Sequence, residues 1–395
     1  MNRGSIVSLS RKAAQRGIVG VGVAALGIGL AACSSSSSTP TTTTAPSGGS
    51  ISSGNASYLA ADLKAPSGTL NASGSTFVQP FFNSAFFSYH GKNSGLTINY
   101  QGVGSGAGIS AFQAGTVDFA ASDVPMSASD LAKVPAASGP VIQVPDILGG
   151  VSISYNLPGV SKRLRLDAAT LAGIFNGTIK TWNATQIKSL NPGVTLPSNP
   201  ITPEVRADSS GTTYIFTDYL TVAAPSVWTL GASKTIAWPS SAVQTPKNSG
   251  VAASIKSTPY SIGYVELDYA IANNFTYASV KNAAGNFVVP TPSTVAADAD
   301  QRTSVSPTSF SIVDEPGTTS YPIAGYSWAI LLKRQTSATA GAQAVKVLDW
   351  TTHTGGGQDL AASLYYVALP PAVQNFDRAQ LLTVTGPNGQ ALLTK

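Results

Sequence analysis

Arg206-Ala207-Asp208-Ser209-Ser210-Gly211-Thr212-Thr213-Tyr214-Ile215-Phe216 decides the reading of this chain. It follows the short extended run Pro203-Glu204-Val205. It leads into Thr213-Tyr214-Ile215-Phe216-Thr217-Asp218-Tyr219-Leu220, whose apolar residues recur at helical spacing. Ser210 falls at an N-cap position with Gly211 beside it. The pattern is strand, polar turn, helix N-terminus. Such a junction presents backbone N–H groups without intrahelical partners, hydroxyl donors and the positive end of a helix dipole. Arg206 adds a fixed cation with a planar donor fork. Taken alone, Ser-Ser-Gly-Thr is accounted for by helix capping. Combined with similar turns, it is equipped to hold a small oxyanion.

Two similar junctions lie upstream. Leu70-Asn71-Ala72-Ser73-Gly74-Ser75-Thr76-Phe77-Val78-Gln79-Pro80 reads as strand, glycine turn and helix, with Phe81, Phe82, Ala85, Phe86 and Tyr89 on one helix face. Residues 96–100 form a strand. Gly104-Ser105-Gly106-Ala107-Gly108 then opens a helix over 109–114, and the strand 117–121 ends at Ser122-Asp123-Val124-Pro125. This alternation predicts a parallel α/β sheet with its ligand at the strands' C-terminal ends. Further strands are expected at 141–145 and 151–156, separated by Gly149-Gly150, and at 262–266 and 321–333, with an extended run at 286–290. Helices are expected at 167–175, 184–190, 249–257, 268–273, 337–352, 357–367 and 371–379. The Ser/Thr/Asp-rich stretch 290–310 reads as surface.

Asp123 is chemically odd beside an anion site, because a carboxylate repels a dianion unless a proton lies between them. Phosphate carries such a proton at neutral pH and sulfate does not. An Asp acceptor therefore discriminates between them. Alternatively, Asp123 is a turn residue or a helix cap.

The N-terminus bounds where the protein works. Arg3, Arg11, Lys12 and Arg16 precede an apolar, Gly-rich run over 17–32 that is short for a membrane span, and no acid precedes Cys33. The run ends Leu30-Ala31-Ala32-Cys33, which resembles the bacterial lipobox, in which the cysteine is lipidated. Cys33 is the only cysteine in the chain, which excludes an internal disulfide and a cysteine-based zinc cluster. Ser10-Arg11-Lys12 lacks the second arginine of a twin-arginine signal, so the general export route is expected. Residues 33–59 are a low-complexity Ser/Thr/Pro/Gly tether with little to bury. The formal charge of +5 falls to +1 without the four N-terminal bases, so no nucleic-acid-binding surface is indicated.

In these runs the chain resembles the PstS-type phosphate-binding lipoproteins that feed ABC phosphate importers. The runs that carry the likeness include Gly74-Ser75-Thr76-Phe77, Asn99-Tyr100-Gln101-Gly102-Val103-Gly104-Ser105-Gly106, Thr116 to Ser127, Ile174 to Trp182, Leu190-Asn191-Pro192-Gly193, Arg206 to Thr213 and Ser261 to Glu266. The match is strong over roughly 70–290 and looser from about 321. The resemblance implies a two-lobed, periplasmic-binding-protein-like (type II) α/β fold with a ligand cleft between the lobes. Residues 60–148 and 322–395 would form the first lobe and 149–321 the second, after a signal peptide over 1–32. It implies Thr76 as a hydroxyl donor, Phe77 as a backbone N–H donor and Ser105 as a donor on the second turn. Asp123 is then the acceptor of the phosphate's proton, Arg206 the anion-pairing residue and Asp208 the acid that holds it. Ser210, Gly211 and Thr212 form the third turn. Gly106 stands where the family often has Ser, and Val205 where it often has a second Arg.

The function so implied is high-affinity capture of inorganic phosphate and its delivery to the permease and ATPase subunits of an ABC importer. The receptor is expected to be monomeric, exported, and anchored through lipid on Cys33 to the outer face of the bacterial cytoplasmic membrane. No catalytic residue, metal or cofactor is expected. The alternatives are a receptor for another tetrahedral oxyanion, sulfate or molybdate, and an extracellular phosphohydrolase. Asp123 argues against the first. Against the second, His90 and His353 are the only histidines, and no tight Asp/Glu cluster is visible.

Overall fold

The computed structural model describes residues 64–302 and 304–394. The expected signal peptide, Cys33 and the tether lie outside the described residues. The chain begins with β1 (Gly68–Gly74), α1 (Gln79–Lys92), β2 (Leu96–Gly102), α2 (Ser105–Gln113), β3 (Phe119–Ser122) and the short α3 (Ala128–Leu131). The long β4 (Val141–Asn156) leads to β5 (Arg165–Leu166), α4 (Ala168–Phe175), α5 (Thr185–Leu190), β6 (Thr202–Arg206), α6 (Gly211–Ala223) and β7 (Val243–Thr245). Next come α7 (Lys247–Ser257), β8 (Ser261–Glu266), α8 (Leu267–Ala272), β9 (Thr276–Tyr277), β10 (Ser279–Lys281), β11 (Phe287–Val288) and α9 (Pro292–Ala299). β12 (Ala324–Leu332), α10 (Ala338–Thr351) and α11 (Pro371–Leu381) complete it.

The aromatic face anticipated for α1 is the face it buries: Phe81, Phe82, Ala85, Phe86 and Tyr89. Phe82 stacks on Phe86 at 4.7 Å and meets Tyr100 of β2 edge-on at 4.9 Å, which fastens the helix to the sheet. The strand order of the main sheet is β2-β1-β3-β12-β4-β8-β6-β7, with β9 on β4. β1 runs parallel to β2 and β3, and β6 parallel to β7 and β8, as the β-turn-α repeats predict. The expectation of a wholly parallel sheet fails at the centre. β12 is antiparallel to both β3 and β4, and β4 is antiparallel to β8. A strand from the far end of the chain is inserted there, and no local repeat announces it.

β4 also corrects the sequence reading at Gly149-Gly150. The two predicted strands are one, running straight through the glycines with almost every residue buried. It pairs with β12 along Val141–Gly150 and with β8 along Val151–Asn156. The glycines serve close packing, not a turn. A Cβ at Gly149 would meet the Phe77 ring at 2.7 Å, and one at Gly150 would meet Val295 at 2.8 Å.

Two further readings change. Within 290–310 lies α9, with Pro292 in its first turn and a Thr291/Thr294 capping box, burying Val295, Asp298 and Ala299. The predicted helix 357–367 is instead a pair of 3₁₀ turns, Gly357–Leu360 and Ala362–Leu364. Gly356 and Gly357 pack closely on the end of α10, where a Cβ would meet Trp350 O at 2.1 Å and Thr351 O at 2.6 Å.

Candidate functional site

The turns that follow β1, β2 and β6 lie at the C-terminal ends of parallel strands, and they converge. The third turn forms as its residues dictate. Ser210 is the N-cap of α6, and its hydroxyl accepts from Thr213 N at 3.1 Å. The second turn is helical from Ser105 onward, so the Gly/Ser run is the first turn of α2 and does not precede it. Gly106 N donates to Ser209 O at 3.0 Å, and Gly211 N donates to Ser105 Oγ at 3.2 Å. These two bonds join the N-termini of α2 and α6 directly.

Thr76, Phe77, Ser105, Asp123, Arg206, Ser210 and Thr212 are all buried. Asp123, just beyond β3, lies against the start of α6. A Cβ on Gly211 would come within 2.4 Å of Asp123 Oδ2, so only glycine admits the carboxyl this close to the helix N-terminus. Ser105 Oγ donates to Asp123 Oδ2 at 3.4 Å, and Asp123 Oδ1 is buried without a hydrogen-bond partner. Burial pushes the Asp123 carboxyl up to about 6. The hydroxyls of Ser75, Ser327 and Ser105 and the charge of Arg206 all pull the other way.

Arg206 ends β6 and is gripped by Asp208 in a two-pronged ion pair, Nε to Oδ1 at 2.7 Å and Nη2 to Oδ2 at 2.5 Å. Lys247 N also donates to Asp208 Oδ1 at 3.1 Å. Burial pushes Asp208 up, but these partners outweigh it and hold the carboxyl below its usual value. Two of Arg206's three nitrogens are thus engaged, which leaves Nη1 and one hydrogen of Nη2 for another acceptor. The Tyr264 hydroxyl accepts from Arg206 N at 3.2 Å and lies 2.7 Å from Thr213 Oγ1, tying strand and helix together.

The structure adds Asn248, which sequence reasoning missed. It is buried in the first turn of α7. Its backbone N and its Nδ2 both donate to Thr76 Oγ1 at 3.2 Å, and Nδ2 also reaches Thr212 Oγ1 at 3.1 Å. Tyr269 is a second addition, donating to Thr76 O at 2.8 Å. Neither lies in a glycine-rich turn. The only local signal was Pro246-Lys247-Asn248 at a helix start. No histidine approaches Ser210: His90 lies against Leu96 O, and His353 lies between Asp349 O and Gln374 O. The residues singled out on the three turns, with Asp123 and Arg206, therefore belong to one buried cluster, and the partly exposed Asp208 lies at its edge on Arg206. It offers hydroxyl and N–H donors, one arginine paired with Asp208, and one further carboxylate, Asp123. That donor set suits a small anion bearing a proton.

A family model described as a PBP superfamily domain matches residues 39–353. The phosphate-binding protein PstS of Pasteurella multocida is 36% identical over 331 residues, which cover 82% of this chain and 93% of that one. PstS of Xylella fastidiosa is 36% identical over 307 residues, 76% of this chain and 82% of that one. Among solved structures, a high-affinity periplasmic phosphate-binding protein bound with phosphate superposes with a TM-score of 0.66 at 25% identity. That match covers 79% of this chain and 93% of the other.

Proposed function

From the premise that this chain belongs to the PBP superfamily and, within it, to the PstS phosphate-binding proteins, we propose how its cluster works. The protein binds inorganic phosphate outside the cytoplasm and delivers it to an ABC importer. Phosphate sits between the three turns. Thr76 Oγ1, Ser105, Ser210, Thr212 and the free edge of Arg206 donate to its oxygens, Phe77 N and Gly211 N exchange their bonds to Ser75 Oγ and Ser105 Oγ for bonds to the anion, and Asp123 accepts its proton. The observation that carries this is the convergence of Asp123 and Gly211. An otherwise all-donor anion site contains one buried carboxylate with an oxygen left unpartnered. Each donor bond to a charged oxygen contributes about 1.5–3 kcal/mol, against the cost of desolvating the anion.

The finer features belong to the same reading. Residues 60–148 with 322–395 act as one lobe and 149–321 as the other, closing on the anion as a clamp. The chain works as a monomer, and lipid on Cys33 anchors it at the outer face of the membrane. Binding, without turnover, is its activity. Titration calorimetry with phosphate and with sulfate tests the reading on the chain lacking residues 1–33. Phosphate should bind strongly and sulfate weakly at neutral pH; tighter sulfate binding defeats it. Release of a chromophore from a phosphomonoester would instead point to a hydrolase.

A further inference from the structure

Asp123 does not meet the ligand side of the cluster alone. In the strand order β3-β12-β4, β12 lies between its two neighbours. Trp328 pairs with Ser122, which sets Ser327 beside Asp123. On its other edge the register jumps, from Ser327 opposite Ile147 to Trp328 opposite Pro145, so Asp146 is the extra residue of a β-bulge. Bulges re-aim side chains, and this one puts a second carboxyl into the same row. Asp146 is fully buried, Ser327 Oγ lies 3.4 Å from its Oδ2, and its Oδ1 has no partner. Ser327 also faces Asp123 closely enough to favour its ionised form. The result is Asp123–Ser327–Asp146, two buried acids on either side of one hydroxyl.

The charged and titratable groups around this row are few. Arg206 on β6 faces Asp123, Tyr100 on β2 faces both acids, Tyr269 on α8 faces Asp123, and Asp377 on α11 faces Asp146. The cation is on the Asp123 side, and among the described residues the titratable groups that face Asp146 are acids and a phenol. Burial and then the Asp123 charge push the Asp146 carboxyl well up, which favours its neutral form. Ser327 has one hydrogen to give. A neutral Asp146 can supply its own proton to Ser327 Oγ, which frees the serine hydrogen for Asp123.

We propose that Asp146 is a positioning residue for anion selection: as a neutral acid it donates to Ser327 Oγ, Ser327 donates to Asp123, and Asp123 is thereby held as an ionised acceptor facing the ligand. This rests on the phosphate reading above. An ionised Asp123 repels sulfate. A protonated one does not, and it gains a donor, so the phosphate-to-sulfate affinity ratio falls as pH drops through the Asp123 titration.

The test measures that ratio by calorimetry on the full chain between about pH 5 and pH 8.5. Phosphate's own ionisation is common to all variants, so differences in midpoint belong to the protein. Ser327→Ala should move the midpoint upward by about one pH unit, because the carboxylate loses a donor, and Asp146→Ala should move it upward by about half a unit, because Ser327 keeps its hydrogen but loses the partner that orients it toward Asp123. Asp146→Asn, whose amide still donates to Ser327, should leave it within about 0.3 unit. An unmoved midpoint in Asp146→Ala or Ser327→Ala overturns the proposal. So does a downward move in Asp146→Asn, which would mean that Asp146 acts as a negative charge. If Asp146→Ala does not fold, Ser327→Ala, which deletes a single oxygen, decides. Failure of the unaltered chain to bind phosphate at any pH overturns the underlying reading, and is told apart because it needs no variant.

Discussion

On the proposed reading, Arg206 and Asp123 pull on an anion in opposite senses, and that opposition is what would make the site selective. Arg206→Ala removes charge-assisted donors and leaves Asp208 without its cation. Phosphate affinity should fall on the order of 10²-fold in calorimetry; an unchanged affinity would remove Arg206 from the ligand set. Asp123→Asn keeps the shape but removes the like charge, so the preference for phosphate over sulfate should drop by about tenfold or more. Sulfate binding as weak as in the unaltered protein would sink the proton-sharing argument. Both residues were legible in the sequence because their chemistry is unusual for their position: an arginine before a capped turn, and an acid closing a strand of small residues. Asn248 was not, because what marks it is a pair of hydroxyls, Thr76 and Thr212, that lie elsewhere in the chain.

Among the elements, α6 and β4 show the two extremes. The start of α6 was readable from Ser210 because its cap, glycine and apolar spacing are all local, although the helix runs three residues beyond the spacing read, to Ala223. Ser210→Ala should lower stability by about 1 kcal/mol through loss of the bond from Thr213 N. β4 was read as two strands, since glycine pairs ordinarily mark turns. Here the pair makes room for Phe77 and Val295. Gly149→Val should therefore cost about 1–3 kcal/mol by overpacking. It should also weaken phosphate binding by displacing Phe77, whose carbonyl is held by Tyr366 at 2.5 Å. A variant with both its thermal midpoint and its affinity intact would show that the glycine is not a packing requirement.

On the scale of the whole molecule, buried acids dominate the dependence on pH. Burial raises Asp146, Glu266 and Asp377 well above the carboxylate range, brings Asp123 and Asp314 to about 6 and takes Asp298 to about 9. A carboxyl raised in the folded state holds its proton where the unfolded chain has lost it. Stability is therefore greatest near the unfolded values and declines as pH rises through the folded ones. Asp208 and Asp130, both lowered, act in the opposite sense but are fewer. Without ligand, the thermal midpoint should be higher at about pH 5 than at about pH 8.5, on the order of 5 °C; the reverse order would contradict the assignment of neutral buried acids. The ion pair Lys234–Asp130, at 3.4 Å, joins the two proposed lobes near the surface. It contributes at most about 1 kcal/mol, so Lys234→Ala should weaken phosphate binding less than about fivefold in titrations at low salt, and less still as salt is added. A larger loss would make this pair a principal latch.

The sequence by itself determined the parts whose physics is local. Capped turns, glycine positions, apolar helix faces and the chemistry of each donor are set by residues within a few positions of one another. Those parts were enough for the class of fold and for naming the residues of the candidate site. Only the tertiary structure decided how they meet. It inserted β12 antiparallel between β3 and β4, carried β4 unbroken through its glycines, brought Asn248 onto Thr76 and lined up Asp123, Ser327 and Asp146. Each of these depends on contacts between residues far apart in the chain, where the balance of burial, pairing and excluded volume is settled by the whole packed molecule.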